Sequence, residues 1–244
     1  MGLNEDIIQA LNDLAQPEKA AFFPRFFKTG KGEYAEGDQF IGVTVPDQRQ
    51  VAKAYGKAIS LPELKALLYA PIHEYRLTAL LMLVQKYEKT KNPEEKAELV
   101  QFYLDNLEPV NNWDLVDSTA YKILGRHCFE TQNPSSIEAL AGIDHLWRQR
   151  IAVVATLHYI KKQSFDLPLR IILKNLQHSH DLMQKANGWM LREIGKKDEK
   201  TLVQFLEKHH QQMPRTTLRY AIEKLDELLR QTFLKKPTYG TDRI

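Results

Sequence analysis

Asn112-Trp113-Asp114-Leu115-Val116-Asp117-Ser118-Thr119-Ala120 reads as the opening of a helix. Trp113 and Asp117 lie four residues apart and so share a helical face, while Asp114 falls on another side. Alone, the pair supports two readings: a half-buried indole beside a solvated acid, or an aromatic surface paired with an anion. The stretch gains meaning from four others: Glu74-Tyr75-Arg76-Leu77-Thr78-Ala79, Arg148-Gln149-Arg150-Ile151-Ala152, Met183-Gln184-Lys185-Ala186-Asn187 and Thr217-Leu218-Arg219-Tyr220-Ala221. Each sets a basic residue early in a helix, ahead of apolar and small residues. Val116-Asp117-Ser118-Thr119-Ala120 fits the same slot with an acid in it, and the positions then follow one another at 41, 33, 35 and 34 residues. Helix pairs repeating at this interval predict an all-α, HEAT-like helical-repeat solenoid, a curved stack of antiparallel helix pairs whose second helices line one concave face.

Outward from that stretch the pattern stays helical. Ile7, Ile8, Leu11 and Leu14 keep the three-four spacing of an amphipathic helix, and Pro17 starts a second one rich in phenylalanine, with Pro24 inside it. Pro46 suits a first helical turn and Asp47 its dipole. Helices are expected over 62–69, 73–89, 93–107, 112–129, 135–140, 144–161, 167–177, 181–196, 199–209 and 214–229. No stretch reads as a strand. The long irregular segment is Thr29 to Val45, whose four glycines, Gly30, Gly32, Gly37 and Gly42, preclude a stable helix. It lacks the Gly-Lys-Ser/Thr of a nucleotide-binding loop, and its length suggests a flexible, Lys31-bearing flap near a phosphate backbone. Residues 1–234 are expected to form a single domain, and 235–244, without periodicity, a mobile tail.

Composition narrows the function classes. The chain has 244 residues, 43% hydrophobic and 27% charged, as in an ordinary soluble protein. Its 34 basic and 31 acidic residues leave a charge of +3, enough for a basic patch only if the charges segregate. The one cysteine, Cys128, precludes an intrachain disulfide and suits a reducing compartment, most simply the cytoplasm. The acid-bearing start Met1-Gly2-Leu3-Asn4-Glu5-Asp6 is neither a signal peptide nor a myristoylation motif. No run approaches the roughly 20 apolar residues of a membrane helix.

On a stacked solenoid Arg76, Arg150, Lys185 and Arg219 would form a row spaced like phosphate contacts, with Asp117 as the lone acid among them. The rival reading is that these cations pair with carboxylates of neighbouring repeats, Asp117 being one such partner. All three tryptophans, Trp113, Trp147 and Trp189, lie within one turn of the row. Trp147 reads as core. Trp113 and Trp189 read equally as core or as faces for a base or a cation. His178, His180, His209 and His210 have no carboxylate or cysteine at ligand spacing, so no metal and no cofactor is expected. Cys128 reads as core.

The same residues carry a family likeness. Trp113-Asp114-Leu115-Val116-Asp117-Ser118, Trp147-Arg148-Gln149-Arg150 and Gln184-Lys185-Ala186-Asn187-Gly188-Trp189-Met190-Leu191-Arg192-Glu193 resemble the AlkD-like DNA alkylation repair family of HEAT-repeat DNA glycosylases. Upstream, Arg25-Phe26-Phe27-Lys28 and Gly42-Val43-Thr44-Val45-Pro46-Asp47-Gln48-Arg49 resemble its N-terminal part. The resemblance implies hydrolytic excision of cationic N3- or N7-alkylated purines from double-stranded DNA, with Asp117 as the catalytic carboxylate. It places Trp113 and Trp189 beside the lesion's sugar and backbone and Arg150 near the scissile phosphate; the basic row adds Lys185 and Arg76, and the N-terminal segment Phe26, Lys28 and Lys31, to the expected DNA-binding residues. Where the family has a tyrosine after the arginine of the N-terminal motif, this chain has Phe26 and so lacks that hydroxyl. The segment between Lys28 and Ile41 is longer than in the shortest members. No lysine is placed as a Schiff-base nucleophile, so the expectation is a monofunctional glycosylase without an obligate protein partner or a membrane. The alternative is a non-catalytic HEAT-repeat module that binds nucleic acid or scaffolds proteins.

Overall fold

The computed structural model describes residues 2–235. They are all-α: among the described residues there is no strand, only an isolated parallel bridge between Gln39 and Ile72. The chain's contacts divide into two compact units, one ending at His158 and one beginning at Tyr159. The expected tail, 235–244, lies outside the described residues apart from Lys235.

The first unit holds α1 (Leu3–Asn12), α2 (Pro17–Phe27), α3 (Val45–Tyr55), α4 (Leu61–Leu68), α5 (His73–Lys89), α6 (Pro93–Asp105), α7 (Trp113–Thr119), α8 (Arg126–Glu130), α9 (Ser135–Gly142) and α10 (Leu146–Ala155). Its helices begin where the sequence supplies caps. Thr44 accepts from the Asp47 amide ahead of α3, Ser60 and Glu63 form a capping box on α4, and Asn92 accepts from the Glu94 and Glu95 amides of α6. Proline occupies the first turn of α2, α3, α4 and α6, where its missing N–H has no partner to lose.

Helix α5 is the centre of this unit. Every residue from His73 to Val84 is buried, because α3, α4 and α7 pack around it. A helix apolar on most sides has no solvent face to keep, and Leu77, Leu80, Met82 and Leu83 each contribute on the order of 1.5–3 kcal/mol by leaving water. Helix α7 in turn packs against α5 and α10. The three helices whose openings share the repeat heading are therefore successive neighbours.

Three expected helices are interrupted. The expected helix over 112–129 widens into a π turn at Tyr121–Gly125, with the Gly125 amide bonded to the Ala120 carbonyl at 2.9 Å. Gly125 meets α10 closely there: a Cβ would lie 2.0 Å from the Ala155 oxygen. The expected helix over 144–161 breaks at Thr156, whose hydroxyl donates to the Val153 carbonyl at 2.6 Å. The expected helix over 214–229 ends at Ala221, and Asp226 then caps a new one by accepting from the Leu229 amide.

After α11 (Leu157–Lys161), which crosses the junction, the second unit holds α12 (Asp166–Lys174), α13 (Asp181–Gly195), α14 (Glu199–His209), α15 (Arg215–Ala221) and α16 (Glu227–Leu234). Helix α13 packs against α12, α14 and α15. The His180 ring nitrogen caps α13 by accepting from the Leu182 amide, and His178 accepts from the His180 amide, so both histidines serve the backbone.

Candidate functional site

The segment between α2 and α3 is irregular, as its glycines require, and its second half, 38–43, is tied to α5. Glu74, in the first turn of α5, turns its carboxylate onto three successive amides of that segment: Ile41 at 3.2 Å, Gly42 at 2.8 Å and Val43 at 3.2 Å. Three N–H groups satisfied by one buried carboxylate hold the segment rigidly. Gly42 is required at the middle of this clamp. Its φ is +85°, and a Cβ would lie 2.1 Å from the Gln16 carbonyl oxygen. Burial raises the Glu74 pKa, and the amides of its own helix, Gly42 and Ile41 pull it down.

The same segment is held a second time. Asp38 accepts from His73 Nδ1 at 3.0 Å and pairs with Arg76 Nη2 at 2.6 Å, both from α5. On its other side His73 Nε2 lies 2.7 Å from Asp114, which also accepts from the Leu115 amide. Burial opposes charge on His73. The Asp114 charge and the bonds to Asp114 and Asp38 outweigh it and push the imidazole up to about 9. A cation at the first position of α5 is opposed by the helix dipole, and two carboxylates offset this. Burial also works against ionisation of Asp38, yet His73 and Arg76 hold its carboxyl below the ordinary value.

One step further along α7, Asp117 receives Arg150 of α10 bidentately, Nε to Oδ1 at 3.0 Å and Nη2 to Oδ2 at 2.7 Å. Burial raises the Asp117 pKa above the ordinary carboxylate value. Arg150 opposes this, and the nearby Asp114 charge adds to it. Asp117 remains about one-fifth exposed, whereas Arg150 is 5% exposed.

His73, Glu74, Asp114 and Asp117 floor a cavity of about 340 Å³. Its walls come from α2 (Phe23, Phe26, Phe27), the clamped segment (Phe40, Val43), α7 (Trp113) and α5 (Leu77). Trp113, Phe27 and Phe40 lie nearly parallel, with centroids 5.5 and 5.0 Å apart and interplanar angles of 17° and 16°. Phe26 meets Trp113 edge-on at 5.8 Å and is half exposed at the rim. Its ring carries no hydroxyl to offer a backbone.

The structure thus brings Trp113, Asp117, Arg150 and Phe26 together. Lys28 and Lys31 are exposed on the segment that follows α2, Lys28 closing that helix in the left-handed region with φ +58°. Lys185 and Trp189 stand on α13 of the second unit, where Lys185 pairs with Asp181 at 2.7 Å. Arg76 corrects the expectation of a phosphate contact. It is 5% exposed, paired with Asp38, and donates to Asn111 Oδ1 at 2.8 Å, so its charge is spent inside the unit. Asp117 is likewise not a lone acid in a basic row but half of an interhelix ion pair. Trp147 and Cys128 are buried in the core, as expected, Trp147 edge-on to Tyr34.

The sequence did not single out His73, Asp38, Glu74, Asp114, Phe27 or Phe40 as site residues. A signal for two of them was present: His73 stands three residues before Arg76, as Asp114 stands three before Asp117. The repeat register therefore pairs them. Nothing local marks Asp38 or Phe40, whose partners lie far along the chain.

Comparison with known proteins adds three findings. The family described as DNA alkylation repair enzyme matches residues 7–225. A solved structure described as "Predicted DNA alkylation repair enzyme from Enterococcus faecalis" aligns with a TM-score of 0.68 at 19% identity, covering 87% of this chain and 97% of that one; at this identity it bears on the fold. No curated protein matches the sequence.

Proposed function

The chain belongs to the DNA alkylation repair enzyme family, and from that premise we propose that it is a monofunctional DNA glycosylase. Its substrate is double-stranded DNA bearing cationic N3- or N7-alkylated purines. The observation that carries this reading is a carboxylate, Asp117, still partly exposed at the edge of an aromatic cavity and oriented by a buried arginine.

The chemistry follows from charge. Alkylation at N7 or N3 makes the purine a cation and a good leaving group, so little acid catalysis is needed. As the N-glycosidic bond breaks, positive charge moves to the deoxyribose. A fixed anion there stabilises that charge, as carboxylates do in sugar hydrolysis. Asp117 supplies it and positions the attacking water. Arg150, donating to both oxygens, locks the carboxylate rotamer before the substrate arrives. Trp113 gives an aromatic face beside the sugar. Trp189, Lys185, Lys28 and Lys31 are assigned to the DNA backbone. A cytoplasmic location accords with this role. Among the described residues no helix is long and apolar enough to cross a membrane.

The test is release of methylated purines from alkylated duplex DNA. Asp117→Asn keeps an acceptor for Arg150 and removes the charge, so release is expected to fall by about 100-fold or more, the scale of losing one transition-state electrostatic partner. Equal rates from a folded variant would refute the assignment. One observation favours a second reading: Asp117 and Arg150 pair as neighbouring helices in a repeat stack often do, which suits a non-catalytic nucleic-acid-binding or scaffold module. DNA affinity that falls steeply with salt, without base release, selects the binding module, and absence of affinity selects the scaffold.

A further inference from the structure

We infer that Phe27, Phe40 and His73 are positioning residues for the reaction: with Trp113 they form one column of rings, anchored on α5, that fixes the indole at the cavity Asp117 lines. The inference rests on the glycosylase reading, in which Trp113 stands beside the sugar, and adds what holds that indole in place. The three residues act through Trp113 and not on the substrate.

Trp113 needs such a device because of where it stands. A helical side chain lies over the turn that precedes its own Cα. Trp113 is the first residue of α7, so no preceding turn holds its ring, and the side chain is only half-buried. Its orientation has to come from other elements. Phe27 of α2 lies nearly parallel to it at 5.5 Å and 17°, and Phe26 meets it edge-on at 5.8 Å. Behind Phe27, Phe40 is nearly parallel at 5.0 Å and 16°, and the His73 ring follows Phe40 at 4.8 Å and 26°. Parallel and edge-on rings are the arrangements that aromatic pairs prefer, and a cationic ring on an aromatic face adds an attraction of its own.

The column ends next to where it began. His73 is held through both ring nitrogens, by Asp38 at 3.0 Å and by Asp114 at 2.7 Å. Asp114 is the residue after Trp113 and also accepts from the Leu115 amide, so it fixes the first turn of the helix that carries the indole. A closed circuit therefore runs from Trp113 through Phe27, Phe40 and His73 to Asp114 and back. The clamp of Glu74 on Ile41, Gly42 and Val43 fixes the segment that bears Phe40. Burial alone does not require rings at 27 and 40, since another apolar residue of similar bulk fills a core. A flat partner is what orients an indole. A group displaced by about 1 Å can cost on the order of 100-fold in rate, so a fixed orientation bears on the reaction.

Single-turnover base release from methylated duplex DNA, with DNA affinity measured separately, tests this. Phe27→Leu keeps apolar bulk and removes the flat ring. It is expected to slow release about tenfold with DNA affinity unchanged, and Phe40→Leu to slow it by a smaller factor. In a Trp113→Leu background neither is expected to slow release further, because the effect passes through the indole, whereas a merely structural role would act equally in both backgrounds. If circular dichroism shows Phe27→Leu unfolded, Phe40→Leu carries the test. A second readout is fluorine NMR of protein bearing 5-fluorotryptophan, in which the Trp113 resonance is the one lost in Trp113→Phe. That resonance is expected to shift or broaden in Phe27→Leu and Phe40→Leu, with those of Trp147 and Trp189 unmoved. Release as fast as wild type in both variants, the same slowing in the Trp113→Leu background, or an unmoved Trp113 resonance overturns the inference and leaves the glycosylase reading standing wherever wild type releases base. A displaced Trp113 resonance with no base release by wild type overturns the glycosylase reading and leaves the column as what holds the indole.

Discussion

His73 joins two parts of the first unit through its two ring nitrogens, one facing Asp38 and the other Asp114. Its folded pKa of about 9 lies above the ordinary 6.5, so the imidazolium is the form that folding favours. The stability it contributes is fully present below 6.5 and is lost as the pH rises through 9. His73→Gln is therefore expected to lower stability by on the order of 2–3 kcal/mol in mildly acidic buffer. The gap to wild type should close in alkaline buffer, as urea unfolding followed across that window would show. A gap independent of pH would mean that the ring contributes by packing alone. Arg150 gives a matching prediction for activity. Burial already raises the Asp117 pKa, and Arg150 opposes it. Arg150→Met removes that opposing charge, so the acidic limb of the pH–rate profile for base release should move to higher pH. An unmoved limb would indicate that Asp117 is not the group that titrates there.

At the scale of elements, α5, α7 and α10 act as a set because equivalent positions face one another. His73 meets Asp114 and Asp117 meets Arg150, each pair joining neighbours in the repeat. The register was legible in the spacing of the headings. Which cations it would consume was not, since a sequence spacing states that two helices are equivalent but not which carboxylate lies within 3 Å. The segment between α2 and α3 shows the same limit. Its glycines announce a loop, but Glu74, which turns that loop into a wall, belongs to a helix more than thirty residues away. Glu74→Ala leaves three amides without their acceptor, at a cost of about 1–3 kcal/mol for each that stays buried. The expected signature is faster hydrogen exchange at Ile41, Gly42 and Val43 with α3 unaffected. Retained protection there would show that packing of Phe40 suffices to hold the segment.

For the molecule as a whole, a net charge of +3 leaves little nonspecific attraction to DNA, so exposed cations should dominate the salt dependence. Lys28 and Lys31 are exposed, and Arg76 is buried in its pair with Asp38. Lys28→Ala and Lys31→Ala are each expected to reduce the slope of log affinity against log salt by about one. Arg76→Met should leave the slope unchanged and instead lower thermal stability by about 3 kcal/mol, because Asp38 loses its guanidinium. A slope lowered by Arg76→Met would restore that residue to the DNA-facing row.

By itself the sequence determined the helical class, the interval of the repeat, and the choice of Trp113, Asp117 and Arg150 as residues worth placing. Those follow from periodicity, capping residues and motif order, which are local properties of the chain. Only the tertiary structure decided that Arg76 is spent on Asp38, that Asp117 is shared with Arg150, and that five aromatic rings from three separate segments enclose a cavity above buried acids. Ion pairs and cavities arise where distant segments meet, and the free energy of burying a charge is set by what surrounds it after folding. No stretch of the chain records that in its own pattern.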